Sequence, residues 1–160
     1  MTRYDCYLSY DHCSKSSLFQ GKVQRIKSYL GYRNILVTTV DTNSSISERK
    51  RLYERIDRCG CIVLLLSSSF LEDRGQLRCE FGYFLRSKGR AQICVAVMDM
   101  EILDSTTWDG EIGGSLKGKR CIDFSSLDPS GLYFRRQLDE LHDMITSVIE
   151  PLKVNPNIKD

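Results

Sequence analysis

Five short apolar, strand-like segments punctuate the chain, at residues 4–10, 35–40, 61–67, 91–98 and 121–124, and several are apolar at consecutive positions. Cys61-Ile62-Val63-Leu64-Leu65-Leu66 is the plainest of them. A strand with one wet face alternates apolar and polar residues. A strand apolar at successive positions must be covered on both faces, which is the condition of a parallel sheet. Parallel neighbours cannot be joined by a tight turn, so the segments between them must cross over, usually as helices.

Those segments carry helical spacing. Between residues 16 and 30, Phe19, Val23, Ile26 and Leu30 share one face, and Gly31 is the expected stop. Ser45-Ile46-Ser47-Glu48 matches a capping box, which predicts a helix from there to about Arg58 with Leu52 and Ile56 inward. Asp73-Arg74-Gly75-Gln76 is a second cap, ahead of Leu77, Phe81 and Phe84. Asp128-Pro129 predicts the start of a final helix with Pro at its first position. Phe134, Leu138, Leu141, Ile145 and Val148 then repeat every three or four residues, and Glu150-Pro151 should end it. Residues 101–119 hold Trp108, Ile112 and Leu116 but are broken by three glycines, so an irregular stretch with a short helix is expected. Together these features predict a doubly wound, flavodoxin-like α/β domain with a five-stranded parallel sheet. It should span residues 1–152, with a polar tail at 153–160.

Composition narrows the function classes. With 41% hydrophobic and 28% charged residues the chain is globular rather than disordered. A net charge of +2 gives no strong field for nucleic acid or an anionic membrane. Seven cysteines, most of them inside apolar runs, point to buried thiols in a reducing compartment, and their spacing offers no metal site. The N-terminus has no apolar stretch of signal-peptide length, and no run is long enough to insert in a membrane.

Tyr4-Asp5-Cys6-Tyr7-Leu8-Ser9-Tyr10 resembles the first box of TIR (Toll/interleukin-1 receptor) domains, an aromatic-Asp-Ala-Phe-Ile-Ser-Tyr pattern. Further similarities follow in order. Residues 37–46 resemble the second strand and the loop after it, the BB loop of that family. Residues 52–70 resemble its helix, Ile-x-x-(Ser/Cys) and apolar strand. Cys79-Glu80-Phe81 sits where its third helix carries Cys and Glu, and Gly131-Leu132-Tyr133-Phe134 resembles its Phe-Trp box. The chain departs from the pattern in the loop, where Val40-Asp41-Thr42-Asn43-Ser44-Ser45 keeps the Asp but lacks the Pro and Gly of many receptors. Gln76 stands where the third helix often has Trp.

The resemblance, closest to Toll-like receptor and myeloid differentiation adaptor TIR domains, implies an interaction module of innate-immune-type signalling. It implies a cytoplasmic setting, alone or as part of a longer receptor or adaptor, other TIR domains as partners, self-association, and no cofactor. The partner-binding residues it implies are Asp41, Thr42, Asn43, Ser44, Ser45 and Ile46 in the loop, Arg49 and Arg55 on the second helix, and Glu80 and Tyr83 on the third. It also implies an alternative, because some TIR domains cleave NAD. Glu80 would then be the catalytic carboxylate of an NAD glycohydrolase, stabilising an oxocarbenium-like transition state as nicotinamide leaves. His12 and the Ser67-Ser68-Ser69 run are weaker candidates, since neither has a base or turn that would make it a nucleophile or proton carrier. The charged run 48–58 reads as a solvated helix face with Arg51–Glu54 and Glu54–Arg58 pairs.

Overall fold

The computed structural model describes residues 3–39, 46–71 and 75–154, and for 46–49, 75–78 and 153–154 the backbone only. Five strands, β1 (Tyr4–Ser9), β2 (Val37–Thr38), β3 (Cys59–Leu66), β4 (Ile93–Val97) and β5 (Cys121–Asp123), form one sheet in the order β2-β1-β3-β4-β5. Every pairing is parallel. The flavodoxin-like doubly wound fold expected from the apolar runs is the fold observed.

The sheet is covered on both sides, and strand alternation decides which residue meets which side. Cys6 and Leu8, Cys61, Val63 and Leu65, and Cys94 and Ala96 face a core closed by α1 (Ser17–Tyr32) and α6 (Leu132–Val154). Tyr7, Ile62, Leu64 and Leu66, and Val95 and Val97 face a second core. That side is closed by α2 (Ile46–Asp57), the one-turn α3 (Ser68–Leu71), α4 (Gly75–Ser87) and α5 (Gly110–Leu116). Burial on both faces is why the central strands β3 and β4 read as nearly unbroken apolar runs.

Helix ends differ from the sequence expectation in three places. Helix α1 does not stop at Gly31. It runs to Tyr32, and Asn34 takes the left-handed turn at φ 63° while the Ile35 N–H returns to the Leu30 carbonyl at 2.9 Å. At the start of α6, Pro129 is not helical. Asp128 accepts the Ser130 N–H at 3.1 Å and its carbonyl accepts the Gly131 N–H at 3.1 Å, which folds a turn, so helix begins at Leu132. Pro151 does not end α6 either, because a helix carries proline near its last turn at the loss of one backbone bond, and Ile149 is still seated in the core. The Ser45 and Asp73 caps lie outside the described residues.

Residues 99–116 do hold an irregular path, with two 3-10 turns, Met100–Ile102 and Ser105–Thr107, before α5. Trp108 anchors it. The indole is buried, and its Nε1–H donates to the Ile102 carbonyl at 2.8 Å. Gly113 is required by contact, since a Cβ there would stand 2.9 Å from the Trp108 Cβ.

Candidate functional site at the carboxyl edge of the sheet

The strand order reverses at β1, which has β2 on one side and β3 on the other. In doubly wound sheets the crevice outside the carboxyl ends of such strands is where ligands are held. Polar side chains converge there. Ser9, the last residue of β1, is buried and donates from Oγ to Glu80 Oε2 at 3.4 Å, across 71 residues of sequence. Glu80 is 1% exposed on α4. A carboxylate withdrawn that far from water is costly unless bonded, so the Ser9 hydroxyl is part of what permits it.

Beyond β1, Asp11 ties the two loops together. Its Oδ2 accepts from Ser69 Oγ at 2.7 Å, Ser69 meets Ser67 Oγ at 2.9 Å, and its Oδ1 accepts the Cys13 N–H at 2.9 Å. On the β2 side, Thr39 Oγ1 donates to the Leu8 carbonyl at 2.8 Å and lies 3.3 Å from His12 Nε2. The His12 ring packs on Tyr10 with centroids 4.1 Å apart, and Lys27 donates to the Tyr10 hydroxyl at 2.8 Å. The carboxyl edge thus gathers two carboxylates, an imidazole and five hydroxyl groups held by hydrogen bonds.

A neighbouring cluster closes the ends of β4 and β5. Lys22 reaches from α1 to donate to the Met98 carbonyl at 2.9 Å and is buried. Burial lowers the pKa of its ammonium, against the pull of Asp99, Asp123 and Glu101. Asp123 accepts from Ser125 N and Oγ at 2.8 and 2.6 Å and from the Tyr133 hydroxyl at 3.0 Å. Burial works to raise the Asp123 pKa, but these bonds and Lys22 outweigh it and hold the carboxyl below its ordinary value.

The other sequence candidates fall elsewhere. Asp41, Thr42, Asn43, Ser44 and Ser45 lie outside the described residues, as do the side chains of Ile46 and Arg49. Arg55 is half-buried, donating to Thr38 Oγ1 at 2.9 Å with its guanidinium 5.6 Å from the Tyr4 ring, so it ties α2 to the sheet. Tyr83 stacks on Tyr53 at 4.1 Å and 14°, and donates to both oxygens of Asp57 at 2.7 and 2.9 Å. Burial first, then the Asp57 carboxylate, pushes its phenol up to about 12. Neither the Arg51–Glu54 nor the Glu54–Arg58 ion pair expected on α2 forms. Lys22, Thr39 and Asp123 were not candidates from sequence, because their partners are distant in the chain. Among the described residues no group of three or more His, Cys, Asp or Glu side chains is placed to hold a metal, and no helix is long and apolar enough to cross a membrane.

No family model matches the chain, and no curated protein matches it. Among solved structures it is similar to a diflavin flavoprotein from Nostoc sp., at 12% identity and a TM-score of 0.54, over 99% of this chain and 98% of that one. At that identity the likeness shows the fold alone. It does correct one expectation. The absence of a cofactor, implied by the TIR resemblance, does not stand against a structural neighbour that is a flavoprotein.

Proposed function

We propose that this chain is an assembly module of TIR type, which acts by homotypic contact with other TIR domains in a cytoplasmic signalling complex. The observation that carries the reading is the outer face made by α2 and α4. The Tyr53–Tyr83 stack and the Tyr83–Asp57 bonds lock the two helices together. Beside them α2, which follows residues 41–45 in the sequence, exposes Lys50, Arg51, Glu54 and Asp57, charges of both signs on a rigid support. Mixed charge on a rigid face suits docking that is weak per contact and selective by complementarity, strengthened when copies multiply.

A second reading has its own observation. Glu80 beside Ser9 at the carboxyl edge of the sheet supports NAD cleavage, in which its carboxylate, buried here, would have to be uncovered to stabilise charge that develops on the ribose.

A flavin, brought in by the structural neighbour, meets a poorer fit. No glycine occurs in the loop 10–16. The Asp11 carboxylate already takes the Cys13 N–H, the Asp11 carbonyl takes the Ser14 N–H at 3.3 Å, and Ser16 Oγ takes the Phe19 N–H at 3.2 Å. A flavin phosphate seated there would compete for committed donors and meet a like charge.

One experiment separates the first two readings. Light scattering over a concentration series should show self-association that weakens at least tenfold when residues 41–46 are replaced by a Gly-Ser segment, or when Arg51→Glu is introduced, with the unfolding midpoint kept. Association unchanged in both variants sinks the assembly reading. Nicotinamide released from NAD by the same samples, and lost in Glu80→Gln, establishes the enzyme.

A further inference from the structure

Exposed apolar side chains on a folded chain are ordinarily scattered. Here they are gathered. Among the described residues, five of the seven large hydrophobic side chains that stand exposed lie on the loops that follow β4 and β5: Met100, Leu103, Leu127, Leu132 and Tyr133. The loops are neighbours. The Phe124 N–H bonds the Val97 carbonyl at 2.8 Å, so the two loops leave the sheet side by side. Tyr133 reaches back to Asp123, and Lys22 donates to the Met98 carbonyl within the fields of Asp99, Glu101 and Asp123. The turn from Asp128 to Gly131, closed by a 3.1 Å bond, sets Leu127 and Leu132 at its two ends, exposed by 73% and 67%.

These loops are also acidic. Residues 98–107 and 121–134 hold Asp99, Glu101, Asp104, Asp123 and Asp128 and not one Lys, Arg or His, in a chain whose net charge is +2. Four of the five carboxylates accept hydrogen bonds from neutral groups: Asp99 from Ser68, Asp104 from Thr106, Asp123 from Ser125 and Tyr133, and Asp128 from Ser130. Among the described residues none of the five stands in a direct ion pair. The bases that adjoin the loops are buried Lys22, turned to the Met98 carbonyl, and Arg135 and Arg136 on the next turn of α6. Five carboxylates against three cations leave surplus negative charge beside the apolar side chains.

We propose that this surface docks a basic amphipathic segment of another protein, with the segment's apolar side chains on Met100, Leu127, Leu132 and Tyr133 and its Lys or Arg side chains on the acidic rim. Burial of the apolar face supplies affinity, and complementary charge supplies selectivity and rate. The same rim repels an anionic lipid leaflet. A second copy of this chain is a poorer occupant, because its basic helix α2 exposes charge but, among the described residues, no large apolar side chain. The surface shares no residue with the α2–α4 face, so its test does not depend on that reading.

The probe is a synthetic helix of leucine and lysine, about fifteen residues long, enough to hold a helix. Amide signals of the whole chain are followed by nuclear magnetic resonance as the peptide is added. We expect saturable shifts at residues 100–104 and 127–133, with Gly60 and Gln92 at the amino edge unmoved. Leu127→Ser combined with Leu132→Ser should weaken binding about tenfold or more, since it removes apolar area that only the partner covers. Leu36→Ser, at an exposed leucine outside the patch, should change nothing. Glu101→Lys should weaken binding severalfold and flatten its salt dependence. A helix of leucine and glutamate should bind about tenfold more weakly or worse, because its charge opposes the rim. The proposal is overturned by the absence of saturable shifts, by equal binding of the double-serine variant at unchanged thermal stability, or by equal binding of the two helices. It is overturned too if raising the protein concentration without peptide produces the same shifts, which assigns the surface to a second copy.

Discussion

Phe134→Ala is expected to lower the stability of the domain by about 3–5 kcal/mol, the range for removing a large aromatic side chain from a packed core. Phe134 is fully buried in the first turn of α6, and its ring meets Phe124 with centroids 4.8 Å apart and planes at 54°. That tilted pair contributes beyond its area. Phe134 also starts the inward row continued by Leu138, Leu141 and Ile145, so the cavity would open at the point where α6 first grips the sheet. A domain of this size is stable by roughly 5–15 kcal/mol, so the loss is a large share of the whole. Urea unfolding followed by circular dichroism should show the midpoint falling with little change in slope. A loss under about 1 kcal/mol would mean that the site collapses around the missing ring, which close packing on both sides argues against.

Trp108→Ala should cost a similar amount, about 3–5 kcal/mol, but the damage should be distributed differently. The indole is the main buried anchor of a path that is otherwise short turns and a seven-residue helix, and it both rests on Gly113 and bonds the Ile102 carbonyl. Removing it leaves that carbonyl without its donor and α5 without its seat. Hydrogen exchange should therefore accelerate first in residues 100–116, ahead of the sheet, since weakly held segments open locally before the domain unfolds. Equal acceleration in β3 and β4 would show that the segment is not a separate unit.

The sheet was legible because its physics is local. A strand covered on both faces is apolar at successive positions, and β3 and β4 carry that signature along their length, while Asp5 and Ser9 interrupt it in β1 and Asp123 in β5. Strand β2 was legible only as a location. The expected run of six residues is two residues of ladder, because an edge strand needs only enough pairing to meet β1 at Cys6 and Tyr7. Helix ends misled wherever a competing turn used the same residue types. Asp128-Pro129 builds a turn as readily as a helix start, and its carboxylate chose Ser130. Of the candidate site, Glu80 was found by resemblance and the stretch Ser9-Tyr10-Asp11-His12 was legible as a source of pocket groups, but the bond that joins Ser9 to Glu80 across 71 residues was not. Lys22 was missed for a related reason. It lies within the apolar face of α1, and a lysine there reads as a solvated interruption. The carbonyl that receives it belongs to Met98, 76 residues later. Interactions set by tertiary proximity leave no periodic trace in a sequence.

The place of β1 in the sheet also governs the order in which the domain can form. The first strand to be made is not at an edge of the sheet but second in the row, flanked by β2 and β3. Its longer partnership is with β3, from Tyr4 against Cys59 to Ser9 against Leu64. As the chain emerges from a ribosome, β1, α1 and β2 appear first. Together they make only a two-residue ladder with one face of the sheet still uncovered. Until residues 59–66 are available, β1 has an open edge and the groups of Tyr7 have nothing to pack on. The nascent N-terminal third must therefore wait, with an apolar strand unpaired, for a segment more than fifty residues behind it. Loop closure over that distance makes the β1–β3 pairing a slow, late-enabled step. That exposed interval is where a partner that shields strands during synthesis would matter most.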